Sequence, residues 1–164
     1  MPTRYKVLST KYSAFTLIEL LVVISIIGIL AVLVSANLNS ARSRARDTQR
    51  KSDLKNTQTA LRLYFNDMAV YPGNNSGGEI MGCVAGTSLC EWGKEFSVGS
   101  TIYMAKLPKD PLASQTYQYE LGPAGDTIIL TACLENASDA QGVTTVSTSY
   151  DGLCSVSHWM FQIQ

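Results

Sequence analysis

Between Phe15 and Leu38 the chain carries one ionisable side chain, Glu19. The run Leu20–Val34, LLVVISIIGILAVLV, is apolar apart from Ser25 and Gly28. With Phe15, Leu17, Ile18, Ala36 and Leu38 it approaches the roughly 20 residues that cross a bilayer core as a helix. Apolar side chains gathered in one block cannot be shared out over a globular core, so this segment is expected to lie in a membrane. The leader before it, residues 1–14, holds Arg4, Lys6 and Lys11 and no acid. Such a leader stays in the cytoplasm and places the long remainder outside. About 125 residues then remain for one compact domain, too few for two.

The net charge of zero conceals a division along the chain. Residues 42–62 hold seven bases against Asp47 and Asp53, whereas from Leu63 onward ten acids face three lysines. No proline occurs between Pro2 and Pro72, so a single helix is expected from Phe15 to about Met68, roughly 80 Å at 1.5 Å per residue. Past Ala41 this helix becomes amphipathic. Leu54, Leu61, Phe65 and Met68 form an apolar stripe expected to pack under the rest of the domain, with Arg42, Arg46, Arg50 and Asp53 on the remaining surface. The basic run RSRARDTQRKSDLK has no interleaved aromatics for stacking on bases, which argues against nucleic acid as a partner and for a juxtamembrane or solvated face.

The nine residues Phe15-Thr16-Leu17-Ile18-Glu19-Leu20-Leu21-Val22-Val23, after a short basic leader, resemble the prepilin signature of type IV pilins and of the related pseudopilins of type II secretion. The resemblance implies an α+β fold, a long N-terminal helix packed on a small antiparallel sheet. It implies cleavage between Ala14 and Phe15 by a prepilin peptidase, N-methylation of Phe15, and Glu19 as the residue needed for assembly. Ala14 stands where the family usually has glycine, and Ala36 where many members have a helix-kinking proline. The implied partners are further copies of the chain, the peptidase, an inner-membrane assembly platform and membrane lipid. A freed amine at residue 15 and a carboxylate at residue 19 lie one helical turn apart, where each offsets the burial of the other. The expected organisation is a leader over 1–14, an assembly helix over 15–38, its amphipathic continuation over 39–70 and an exported β-rich domain over 71–164.

A secretory signal peptide is the alternative, since Val34-Ser35-Ala36 is a small-residue cleavage pattern behind a suitable apolar run. That reading leaves an exported ligand-binding domain that does not polymerise. Glu19 speaks against it, because an acid inside an apolar helix is costly in lipid and an ordinary signal has no use for it.

In the exported part, Pro72 and the Gly- and Asn-rich stretch after it end the helix and predict a long surface loop. Cys83, Cys90, Cys133 and Cys154 read as two disulfides in an oxidising compartment. Three pairings are possible, and local closure favours Cys83 with Cys90 and Cys133 with Cys154. Zinc is the rival, but no C-x-x-C pair occurs and His158 is the single histidine. Gln115–Leu121 and Thr127–Leu134 predict a β-hairpin, with further strands in Val143–Ser149 and Trp159–Ile163. Leu107-Pro108-Lys109-Asp110-Pro111, Ala45-Arg46-Asp47 and Asp53-Leu54 also resemble the major pseudopilin of type II secretion. That likeness implies a late calcium site, for which Glu135, Asn136, Asp139 and Asp151 are the candidate ligands. The single histidine, His158, stands beside no plausible Ser or Cys nucleophile and no Gly-rich phosphate loop is present, so the sequence predicts no enzyme and no other cofactor.

Overall fold

The structure, a computed structural model, describes residues 15–83, 88–136, 138–141, 154 and 160–163. Among these residues, one helix, α1 (Leu17–Met68), is followed by seven short strands: β1 (Ile80–Cys83), β2 (Ser88–Cys90), β3 (Phe96–Val98), β4 (Thr101–Met104), β5 (Gln118–Leu121), β6 (Ile128–Cys133) and β7 (Met160–Ile163). The chain divides into two units, one ending at Ser40 and the other beginning at Ala41.

The first unit contains the start of α1. Thr16 caps it: the Glu19 backbone N–H donates to Thr16 Oγ1 at 3.3 Å, while the Thr16 hydroxyl and backbone N–H donate to Glu19 Oε2 at 3.0 and 3.3 Å. This reciprocal capping box satisfies donors that a helix start otherwise leaves open. Further along, the Ser25 hydroxyl donates to Leu21 O at 2.5 Å, and that of Ser35 to Ala31 O at 2.8 Å. These polar side chains therefore satisfy themselves on the helix's own carbonyls, as a helix in an apolar medium requires.

The second unit is the α+β body. The residues of α1 that it buries are Asp47, Arg50, Leu54, Thr57, Ala60 and Leu61, spaced by three and four as one helical face requires. The expected stripe is therefore displaced toward the N-terminus. Leu54 and Leu61 are core residues, Phe65 is half-buried against Tyr71, and Met68, the last residue of the helix, is 43% exposed. Arg50, expected on the surface, has no exposed side-chain area, because three carboxylates close around it. Ala69 stops the helix in a left-handed conformation (φ 60°), its N–H donating to Phe65 O at 2.8 Å. Glycine is the usual residue at such a cap.

The expected hairpin is β5–β6, paired antiparallel from Gln118↔Thr131 to Leu121↔Ile128. Its turn closes through the Gly122 N–H on Thr127 O at 2.8 Å, with Gly125 at φ 74°. Tyr117 and Tyr119, with Ile128, Leu130, Ala132 and Leu134, point into the core, the two-residue alternation of a sheet with one covered face. β7 pairs along the other edge of β6, from Leu130↔Ile163 to Cys133↔Met160. The strand expected over Val143–Ser149, and Trp159, lie outside the described residues. Where a long loop was expected, the chain forms two small antiparallel hairpins, β1–β2 and β3–β4, each with a register irregularity. The segments IMGC, SLC, FSV and TIYM carry no sustained apolar–polar alternation that would mark them as strands. Disulfides join Cys83 to Cys90, across β1–β2, and Cys133 to Cys154.

Candidate assembly site and the buried ion network

The first candidate site is the head of α1. Its apolar side chains from Phe15 to Val34 are exposed all round, from 48% at Val23 to 81% at Leu17. Among the described residues α1 is the one helix long and apolar enough to cross a membrane, and its most apolar stretch is wholly uncovered. A surface of this kind is stable only against lipid or other apolar helices. Glu19 sits at its head, its carboxylate held by Thr16. The nitrogen of Phe15 belongs to a peptide bond, and the hydroxyl and N–H of Thr16 supply the donors that Glu19 accepts. The T-x-x-E spacing of a capping box was legible at Thr16 and Glu19, and Thr16 is the residue the sequence argument overlooked. Ala14 lies outside the described residues.

The second site is a group of charges inside the α+β body. The Arg50 guanidinium grips Asp110 with two parallel bonds, Nε to Oδ2 at 2.7 Å and Nη2 to Oδ1 at 2.9 Å. Its Nη1 donates to Asp47 Oδ1 and Glu135 Oε1, both at 2.8 Å. The side chains of Arg50, Asp47 and Asp110 are 0%, 2% and 1% exposed. Arg46 forks onto the same Glu135, through Nε at 2.7 Å and Nη2 at 2.5 Å, and Lys51 Nζ donates to both oxygens of Asp139 at 2.5 and 2.6 Å. Asp47 in turn accepts the backbone N–H groups of Glu135 and Asn136, both at 2.9 Å, and Asp110 that of Leu112 at 2.8 Å. One face of α1 is thereby tied to the 107–112 segment and to the segment that follows β6.

These contacts set the titration of the groups involved. Burial works against the charge on Arg50, yet its bonds to Asp110, Glu135 and Asp47 hold the guanidinium above its ordinary value. The bond from Arg46, helped by Arg50, lowers the Glu135 carboxyl to about 2. Lys51 lowers that of Asp139. Asp53 is shifted the other way, raised by burial against the hydrogen bond it accepts from the Tyr117 hydroxyl at 2.8 Å.

The candidate calcium ligands do not fit that ion. Both oxygens of Glu135 are taken by guanidinium N–H groups and both oxygens of Asp139 by an ammonium, and Asn136 Oδ1 accepts the Ser138 N–H at 3.3 Å. Asp151 lies outside the described residues. Among those residues no three His, Cys, Asp or Glu side chains are grouped to hold a metal ion. The network members missed from sequence, Asp47, Arg50 and Asp110, carried one readable signal. Positions 47 and 50 continue the three-and-four spacing of Leu54, Thr57 and Leu61, so they fall on the buried face whatever their charge.

The model of the prokaryotic N-terminal methylation motif matches residues 9–35. The type II secretion system core protein G of Pseudomonas aeruginosa is 37% identical over 109 residues, 65% of this chain and 72% of that protein. The core protein G of Escherichia coli is 33% identical over 122 residues, 74% of this chain and 81% of that protein. The type IV major pilin protein PilA of Myxococcus xanthus is 39% identical over 57 residues, 35% of this chain and 26% of the pilin. No solved structure gave a significant match. The chain belongs to the type IV pilin and type II secretion pseudopilin family, a family of structural subunits and not of enzymes.

Proposed function

We propose that this chain is inserted as a single-pass protein of the cytoplasmic membrane, cut between Ala14 and Phe15, methylated on the new amine, and polymerised through the helix over 15–38. The leader over 1–14 stays in the cytoplasm. The amphipathic continuation over 39–70 and the domain over 71–164 lie outside and decorate the filament. The observation that carries this reading is the apolar surface of α1 from Phe15 to Val34, uncovered over its whole circumference and headed by one carboxylate. In the bilayer that surface is solvated by lipid, and on assembly lipid is exchanged for neighbouring helices. Glu19 is then sequestered from water and takes the Phe15 amine as its counter-charge, which fixes the axial register of each added subunit. The partners are further copies, a prepilin peptidase, the inner-membrane assembly platform and lipid.

Within the family, a secretion pseudopilus is the better-supported filament. The core protein G relatives are similar over 97 to 125 residues, well beyond the apolar helix, whereas the pilin similarity covers 57. The test is intact-mass and N-terminal analysis of the protein from its native membrane, alongside filament assays of Glu19→Ala. A chain that begins at methylated Phe15, and a variant that stays in the membrane but makes no filament, are the expected results. A mature chain that begins at Asn37, or abundant normal filaments from the variant, would refute the proposal.

A further inference from the structure

We propose that in this chain side-chain cations of α1, centred on Arg50, do the fastening that a bound calcium ion would otherwise do, so that the α+β body folds and keeps its segment after β6 in place without any divalent cation. Calcium is held by six to eight oxygens at about 2.3–2.6 Å, and among the described residues the carboxylates gathered here that could serve one are Asp47, Asp110, Glu135 and Asp139. Every carboxylate oxygen of these four already accepts a hydrogen bond. Asp47 takes Arg50 and two backbone amides, and Asp110 takes Arg50 twice and one amide. Glu135 takes Arg46 and Arg50, and Asp139 takes Lys51 and the Gln141 amide. An entering calcium ion would have to break these bonds and would then face three displaced positive side chains, one of which, Arg50, is fully buried.

The mechanical role is also filled. A metal ion staples a fold by holding carboxylates from separate segments at one point. Here the fully buried guanidinium of Arg50 spans Asp47 on its own helix, Asp110 sixty residues on and Glu135 eighty-five residues on. Guanidinium is suited to this because it is planar, permanently charged and able to present five donors at once. Unlike a metal it is covalently part of the chain, so neither chelators nor a fall in cation concentration can remove it.

The test uses the full-length protein in detergent, with thermal unfolding followed by circular dichroism in excess EDTA and in millimolar calcium, and terbium luminescence as a direct probe of a calcium-type site. The expected result is one melting temperature in both media and no terbium signal that Glu135→Gln and Asp139→Asn would abolish. Glu135→Gln should lower the melting temperature by the same amount with and without calcium. Should Arg50→Met fail to fold, Arg50→Lys, which keeps the charge but loses the fork, serves instead: its melting temperature should fall and calcium should not restore it. A melting temperature that rises by several degrees in calcium, returns in EDTA, and loses that response in Glu135→Gln or Asp139→Asn would overturn the proposal.

Discussion

Replacing Arg50 with methionine tests whether the buried charges hold the α+β body together. Methionine roughly matches the length of the side chain, so the main loss is four hydrogen bonds to three carboxylates. What remains is Asp47 and Asp110, 2% and 1% exposed, each with backbone amides but no counter-charge. Removing one partner from a buried pair costs about 3–5 kcal/mol, because the other charge stays desolvated. Against a total stability of about 5–15 kcal/mol this is a large fraction. For a unit of this size it lowers the melting temperature by roughly 10–20 °C. Urea unfolding of the detergent-solubilised chain, read by near-ultraviolet circular dichroism, measures it. One signature separates a stranded charge from a simple packing defect: Asp110→Asn should cost much less in the methionine background than in the parent, a coupling of about 0.5–3 kcal/mol. A deficit below about 1 kcal/mol, or an additive mutant cycle, would refute the reasoning.

Glu135 makes the parent protein acid-sensitive. Its folded value of about 2 lies below the ordinary 4.5, so its contribution is complete above about pH 5 and is lost as the pH falls toward 2. Discounted for its partial exposure, the loss is about 1–2 kcal/mol. Melting temperatures over that range should flatten in Glu135→Gln, and an unchanged slope would count against the assignment. Ala69→Gly should raise stability by about 1 kcal/mol, because glycine adopts the left-handed cap without the Cβ clash. A loss in urea unfolding would contradict that cap. Tyr117→Phe leaves the Asp53 carboxylate short of its 2.8 Å donor and should cost about 1–3 kcal/mol. A neutral result would mean that solvent replaces the hydroxyl.

What could be read from the sequence is what depends on near neighbours in the chain. The apolar run with its single acid, the unbroken helix to Met68 and the alternation that makes β5–β6 all repeat within a few residues, and physical preference acts at that range. The T-x-x-E cap at Thr16 was equally local and equally readable. The small hairpins up to Met104 were not, since their segments carry no sustained apolar–polar alternation. The cysteine pairing that local closure favours, Cys83 with Cys90 and Cys133 with Cys154, is the one the structure holds.

The charges on α1 mark the boundary most clearly. Sequence alone shows seven bases between residues 42 and 62 and many acids after Leu63, but not which base meets which acid or which of them leaves water. Arg46, Arg50 and Lys51 find their carboxylates 60 to 89 residues away. Arg50 is buried beside Leu54, while Arg42, Arg44 and Arg62 stay exposed. Local propensity treats these bases alike. Only the closing of the chain around α1 brings Asp110 and Glu135 to the one position where a guanidinium can be taken out of water, because desolvation is offset only where counter-charges converge in space.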